Sequence, residues 1–172
     1  YGGYLVHLGV VLIGIGVVGS RFYPQETQRT LGLGESLTFG GYRLVYQGIR
    51  QYVPAAEPDV TVTEAWVQVY DAHGRPLASL YPYVLQYESG ESLTPPALRA
   101  TLKEDLYLLL SGWTEGGNRA TFKVFINPLV SWIWIGGLVL ILGTLVAVWP
   151  APLPAPQRLP VGQPVREQPA VP

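Results

Sequence analysis

One histidine within an apolar segment is the residue of this sequence best placed to do chemistry. His7 lies in residues 1–20, which contain no Asp, Glu, Lys or Arg. A polar ring in hydrocarbon costs free energy unless it gains a partner, so such a histidine is a candidate functional residue. At helical spacing, Gly3 and Gly14 lie on or near the face of His7. Their missing side chains leave space for a planar group or a neighbouring helix.

The residue types alone leave several roles open for His7. It could hydrogen-bond a neighbouring helix, relay protons, contact a quinone or bind haem iron. A neutral imidazole is a good axial ligand, and helix bundles commonly hold a macrocycle between facing histidines. The only other histidine, His73, lies in a turn outside the apolar segments. A second histidine ligand would therefore come from outside this chain.

Other kinds of site are not indicated. Without cysteine the chain forms no disulfide, thiolate metal site or thiol nucleophile. The glycine-rich residues 32–36 lack the lysine and spacing of a phosphate loop and predict a turn that enters a strand. Five carboxylates have no histidine or serine at a recognisable spacing, so we predict no catalytic residue here: Glu64, Glu88, Glu91, Glu104 and Asp105. The net charge of −1 offers no basic surface for nucleic acid.

Two apolar segments predict a membrane protein. Residues 1–20 and residues 129–148 carry no formal charge, and at about 1.5 Å per residue each can cross a hydrocarbon core of about 30 Å. We predict an α+β fold with two antiparallel transmembrane helices, at residues 1–20 and 128–149. A small antiparallel β-rich domain lies between them at residues 21–127. Because the sequence does not begin with methionine, we expect more of the protein before Tyr1.

The second helix has boundary signals at both ends. Asn127 suits the N-cap and Pro128 the first helical position, and Pro150 follows the last apolar residue. The indole rings of Trp132, Trp134 and Trp149 fit the two membrane interfaces, where each N–H can reach water or headgroups.

An apolar period of two predicts strands in the middle domain. The pattern is clearest at residues 119–127, where Phe122, Val124 and Ile126 share a face. Residues 37–46, 60–70, 77–87 and 106–110 are further candidates, and residues 71–76 predict a hairpin connection. The aromatic side chains of this domain could form its core or a surface for an apolar ligand or a protein partner, and we expect the core: Tyr42, Tyr46, Tyr52, Trp66, Tyr70, Tyr81, Tyr83 and Tyr87.

The C-terminal tail, residues 150–172, contains eight prolines and is predicted to be disordered. Because two crossings return the chain to its starting side, the tail and the middle domain lie on opposite faces of the membrane. Arg158 and Arg166 favour a cytoplasmic tail, which places the middle domain outside the cytoplasm.

Three stretches together resemble the C-terminal region of the CcmF family of cytochrome c-type biogenesis proteins. They are residues 2–11 (GGYLVHLGVV), residues 33–36 (LGES) leading to Tyr42, and residues 127–137 (NPLVSWIWIGG). The resemblance covers about residues 1–149 and omits the tail. It implies a haem lyase component of the cytoplasmic, or inner, membrane, with the middle domain on the periplasmic side.

The resemblance also implies a cofactor and partners. His7 would be one axial ligand of a membrane haem b that reduces incoming haem, with Gly3 and Gly14 facing it. Implied partners are the haem chaperone CcmE, CcmH/CcmI, apocytochrome c, quinol, and the upstream part of a CcmF-like protein or its split partner. The tryptophan-rich haem-handling segment and the opposing haem ligand of the family are not in this sequence, so the chain alone is not expected to be a lyase. The alternative is a non-enzymatic two-helix membrane scaffold whose β domain recruits assembly partners.

Overall fold

The computed structural model describes residues 1–149, so the predicted proline-rich tail lies outside the described residues. Two helices, α1 (Gly2–Phe22) and α2 (Val130–Val148), enclose a β domain in the sequence. Both helices are long and apolar enough to cross a membrane. The antiparallel α+β architecture predicted from the sequence is confirmed.

Glycines set the packing of α1 against α2. Four of the six glycines of α1 are buried: Gly2, Gly9, Gly16 and Gly19. A Cβ at Gly9 would lie 2.8 Å from the Gly136 oxygen, and one at Gly16 would lie 2.7 Å from the Ile133 side chain. The partners of successive α1 glycines run backwards along α2, from Ala147 to Leu129, so the helices are antiparallel. Small residues at the interface let two apolar helices approach closely.

The β domain contains ten antiparallel strands in two sheets. The first sheet has the order β1 (Gln25–Gly32), β10 (Arg119–Pro128), β9 (Glu104–Trp113) and β8 (Ala97–Arg99). The second has the order β2 (Ser36–Phe39), β3 (Tyr42–Tyr52), β4 (Val60–Tyr70), β6 (Tyr83–Tyr87) and β7 (Ser92–Leu93), and β5 (Pro76–Leu80) also pairs with β4.

The core lies between the two sheets and follows the predicted alternation. Phe122, Val124 and Ile126 of β10 are all buried, as their period of two predicts. The ring of Phe122 lies 5.4 Å from that of Tyr46 on β3, which joins the two sheets through an aromatic pair.

The predicted start of the second helix is wrong. Asn127 and Pro128 are the last residues of β10, where they pair with Asp105 and Glu104. Leu129 has a φ of 60°, in the left-handed region, and this single residue turns the strand into α2. The strand ladder therefore takes the residues that the sequence offers as a cap.

Three other points about the strands need correction. The predicted strand at residues 37–46 is the hairpin of β2 and β3, because the chain turns at residues 40–41. The predicted strand at residues 77–87 is two strands, β5 and β6, because Tyr81 and Pro82 interrupt it. Strand β1 has the polar sequence QETQRTLG and was not predicted. It pairs only with β10 and is largely exposed, so it carries no apolar alternation.

The turn between β8 and β9 is bonded to the first turn of α2. The Leu129 amide donates to the Lys103 carbonyl at 2.9 Å, and the Ser131 hydroxyl donates to the Thr101 carbonyl at 2.8 Å. Trp132 donates its indole N–H to the Leu102 carbonyl at 2.9 Å. Its hydrogen-bond partner is therefore a backbone oxygen, whereas the sequence predicted water or a lipid headgroup. These bonds fix the β domain relative to α2.

Candidate functional site

His7 lies on the face of α1 opposite the glycines that pack on α2. Its Nδ1 is 2.7 Å from the carbonyl oxygen of Gly3, one turn earlier in the helix. A carbonyl oxygen only accepts, so Nδ1 carries the proton and donates it. The lone pair of Nε2 then remains available to a metal or to another donor. Metal-ligating histidines usually donate their other ring N–H in this way, which fixes the tautomer and the orientation of the ring.

The structure leaves open space on both sides of His7 along the helix. A Cβ at Gly3 or at Gly14 would meet nothing within 4 Å. At 3.6 residues per turn, both glycines share the exposed face with His7. The six glycines of α1 therefore divide into four that pack on α2 and two that do not.

An apolar groove continues this face toward the β domain. It has a volume of about 540 Å³ and lies between α1 and the junction of β10 with α2. Its lining is Val11, Gly14, Ile15, Val18, Gly19, Tyr23, Pro128 and Leu129. Gly14 thus connects the groove to the stripe that carries His7.

His73 lies in the hairpin between β4 and β5, whereas His7 lies on α1. The carboxylate of Asp71 organises that hairpin: it accepts from the backbone amides of His73 and Arg75, each at 2.9 Å, and from the Arg75 guanidinium at 2.7 Å. These bonds, the Arg75 amide foremost, hold the pKa of the Asp71 carboxyl below its usual value against a smaller opposing effect of desolvation. Asp71 therefore has a local structural role.

The five carboxylates named in the sequence analysis do not form a second site. Among residues 1–149, no three His, Cys, Asp or Glu side chains are grouped so that they could hold a metal ion. Glu64 pairs with Arg50, and Glu104 accepts from the Tyr42 hydroxyl at 2.9 Å. Burial, followed by the adjacent Glu104, raises the pKa of Tyr42. The first contact joins the neighbouring strands β3 and β4, and the second joins the two sheets.

The aromatic residues of the β domain are divided between the core and the surface. Tyr42 and Tyr46 are buried as predicted, but the core prediction is wrong for Tyr52, Trp66, Tyr81 and Tyr87, which are exposed. The rings of Trp66 and Tyr81 stack with centroids 6.4 Å apart. They border an open cavity of about 600 Å³, which we call the aromatic groove, lined also by Gly48, Ile49, Arg50, Glu64 and Ala65.

Sequence reasoning favoured the core for these rings and so did not predict this groove. One sequence signal was available, because at a period of two Trp66 shares a face of β4 with the polar residues Glu64 and Gln68. In the structure, register pairs Trp66 with Gly48, which follows a β-bulge in β3. A glycine opposite a tryptophan leaves the large ring without a cross-strand side chain.

Two apolar helices, one with an exposed histidine, flanking antiparallel sheets define a membrane-associated α+β protein. No protein-family model matches the chain. The chain is 30% identical over 148 residues to the cytochrome c-type biogenesis protein CcmF of Pseudomonas aeruginosa. This alignment covers 86% of the chain and 22% of that protein. It is also 30% identical over 146 residues to the probable cytochrome c-type biogenesis protein NrfE of Escherichia coli, covering 84% of the chain and 26% of that protein.

A solved structure gives the same answer. The chain superposes on the cytochrome c heme lyase CcmF with a TM-score of 0.67 and 26% identity, covering 87% of this chain and 24% of that one. The resemblance to the C-terminal region of CcmF is therefore confirmed. The chain spans about a quarter of the length of the curated relatives that it matches.

Proposed function

We propose that this chain is the C-terminal, haem-holding part of a CcmF-like component of cytochrome c maturation, with His7 as one axial ligand of a membrane haem b. The observation that carries the proposal is the Nδ1–H bond of His7 to Gly3, which leaves Nε2 free on a face open at Gly3 and Gly14. The names of the relatives support the pathway, and the donor chemistry of an oriented imidazole supports the ligand role.

In this role the residues of the chain hold and shield the cofactor. His7 would hold the iron through Nε2, and the Gly3 carbonyl fixes the plane of the imidazole. Gly3 and Gly14 admit the macrocycle close to the α1 backbone, while the apolar neighbours Val10 and Val11 exclude water. A haem b bound there would supply a one-electron couple able to reduce an incoming haem.

The position of His7 along α1 also defines where the cofactor lies. Phe22 ends the helix about 22 Å beyond His7, at about 1.5 Å per residue. In an inner membrane with the β domain on the periplasmic side, the haem b would lie in the half of the bilayer remote from that domain. The second ligand comes from the upstream part of the same CcmF-like protein or from a split partner. Haem delivery by CcmE, presentation of apocytochrome c by CcmH/CcmI and electrons from quinol complete the proposed assembly.

The test uses spectroscopy of the complete CcmF-like assembly. His7→Ala is expected to remove the Soret band of haem b and to impair cytochrome maturation, whereas the matched control His73→Ala leaves both unchanged. In His7→Gly, added imidazole can occupy the vacated space and is expected to restore the Soret band. Full haem content in His7→Ala would disprove the assignment.

The alternative is a scaffold whose β domain recruits assembly partners, and the exposed stack of Trp66 on Tyr81 favours a docking role for that domain. Interfaces are enriched in exposed aromatic side chains that fill grooves. The double variant Trp66→Ala/Tyr81→Ala should then impair maturation while the Soret band persists. Leu98→Ala is the control, because Leu98 is exposed on the other sheet. Normal maturation in the double variant would contradict the docking role.

A further inference from the structure

We infer that the turn between β8 and β9 is a lipid contact site, in which Leu102 inserts into the headgroup boundary of the bilayer beside the start of α2. The inference rests on the two helices crossing a membrane. It adds a third point of membrane contact, made by the β domain itself.

Hydrogen bonds fix the level of this turn relative to the helix. The indole N–H of Trp132 reaches the Leu102 carbonyl, and the Ser131 hydroxyl reaches the Thr101 carbonyl. Trp132 and Ser131 belong to the first turn of α2. The backbone of Leu102 therefore lies level with the first turn of α2, where that helix would enter the apolar phase.

The side chains around the turn are those that a bilayer boundary accepts. Leu102 is 67% exposed, and Phe22, Tyr23 and Trp134 at the ends of the helices are exposed as well. Aromatic rings favour the headgroup level, where an apolar body and a polar tip can both be solvated. The adjacent Lys103 has a side chain that is 85% exposed, and its ammonium lies 3.6 Å from a carboxylate oxygen of Glu104. A long exposed side chain of this kind can also reach lipid phosphates.

Leu33 serves as a comparison for Leu102, because the two side chains are similarly exposed but differ in distance from the helices. Leu33 is 61% exposed, close to the value for Leu102. It follows β1, which begins at Gln25 beside the membrane and rises by about 3.3 Å per residue, so Leu33 lies about 25 Å farther from α1. The two leucines thus differ in distance from the helices and hardly in exposure.

The experiment uses the absence of cysteine from the chain. Leu102→Cys, Leu33→Cys and Leu138→Cys each introduce a single thiol, and Leu138 is 62% exposed near the middle of α2. Each thiol is labelled with an environment-sensitive fluorophore, and the full chain is reconstituted in nanodiscs of phosphatidylcholine and phosphatidylglycerol. Nitroxide-labelled lipids then quench at headgroup or mid-chain depth. Substitution of Leu102 leaves the junction intact because only its backbone oxygen accepts from Trp132.

We expect blue-shifted emission at position 102 that headgroup-level nitroxide quenches most strongly. Position 138 should respond to mid-chain nitroxide, and position 33 should respond to neither. Quenching at position 138 without quenching at position 102 would overturn the lipid contact and leave the membrane assignment standing. Absence of quenching at position 138 would overturn the membrane assignment and the lipid contact together. Haem spectroscopy of His7 variants is independent of both results.

Discussion

Nδ1 of His7 donates to the carbonyl oxygen of Gly3 at 2.7 Å. That carbonyl belongs to the backbone of the same helix, α1. The bond keeps the polar edge of the ring satisfied by its own helix. It also turns Nε2 outward, on the side of α1 away from α2. One backbone contact therefore lowers the cost of a polar side chain in an apolar segment and orients its free nitrogen.

The first prediction concerns the tautomer of this ring. Without a ligand on Nε2, the neutral imidazole of His7 should carry its proton on Nδ1, because the Gly3 carbonyl can only accept. The ¹⁵N chemical shifts of a selectively labelled sample distinguish protonated from unprotonated ring nitrogens. His73 provides the internal comparison, because its Nδ1 makes no hydrogen bond to a carbonyl among residues 1–149 and lies 3.8 Å from a carboxylate oxygen of Asp71. A His7 ring protonated on Nε2 in the neutral form would contradict the bond.

The second prediction separates the two glycine faces of α1. Gly9→Leu should drive α1 and α2 apart, because even a Cβ at Gly9 would lie 2.7 Å from the Leu140 backbone nitrogen. Overpacking of this kind costs about 1–3 kcal/mol, and a larger side chain raises the cost. Gly14→Leu should leave the helix pair intact, since nothing lies within 4 Å of its Cβ position. Unfolding of the chain in mixed detergent micelles measures both effects.

The Gly14→Leu variant also tests the proposed cofactor site. Gly14→Leu fills the space that the proposal assigns to the macrocycle, so the complete assembly should lose haem b while the helix pair remains stable. Gly14→Ala adds one methyl group and should retain more of the Soret band. Unchanged haem content in Gly14→Leu would show that Gly14 does not face the haem. The role of His7 would then rest on the Soret band of His7→Ala alone.

Sequence reasoning was correct where a local pattern determines the structure. It was wrong where pairing with a residue distant in the sequence determines it. Alternation placed Phe122, Val124 and Ile126 in the core, because a two-sheet domain has one covered face for each strand. No local pattern shows that Asn127 pairs with Asp105 and so cannot cap α2. The pairing of Gly48 with Trp66 was equally hidden, since it depends on the register of β3 against β4.

At the candidate site, spacing alone identified His7 and its two open neighbours, Gly3 and Gly14. It did not show that the other glycines of α1 pack on α2. A signal for that packing was present in the sequence: Gly2, Gly9 and Gly16 repeat every seven residues, as do Gly136 and Gly143 on α2. Such a repeat marks one helix seam, although Gly19 lies outside the repeat and also packs at this interface.

The third prediction concerns acid pH and the hairpin at Asp71. The folded pKa of this carboxyl lies below its usual value of 3.8, chiefly because the Arg75 amide donates to it. The ionised carboxylate therefore stabilises the hairpin above pH 3.8, and this contribution disappears as the pH falls through the lower folded pKa. Amide exchange at His73 and Arg75, measured by NMR with correction for intrinsic rates, should show reduced protection in that range.

Asp71→Asn provides the matched control for this titration. The amide oxygen of asparagine can still accept from the two backbone amides, but it does not ionise. The variant should lose the pH dependence of protection over the same range. An unchanged acid transition in Asp71→Asn would show that another group causes it.

The final prediction tests the bond that joins the second sheet to the turn between β9 and β10. Tyr46 is 0% exposed and donates its hydroxyl to the Gly117 carbonyl at 2.7 Å. Burial raises the pKa of this tyrosine, so the hydroxyl remains a donor at neutral pH. Tyr46→Phe leaves a buried carbonyl without this donor, at a cost of about 1–3 kcal/mol. For a domain of this size, each 1 kcal/mol lowers the Tm by about 4–8 °C.

Tyr52→Phe is the control, because Tyr52 lies on the same strand and is 43% exposed. Its change in unfolding free energy should stay within about 0.5 kcal/mol. Thermal unfolding followed by circular dichroism of the β domain compares the two variants under identical conditions. If Tyr46→Phe matched Tyr52→Phe, the hydroxyl would contribute nothing beyond the packing of its ring on Phe122. The 5.4 Å aromatic pair would then be the contact that joins the sheets at this point.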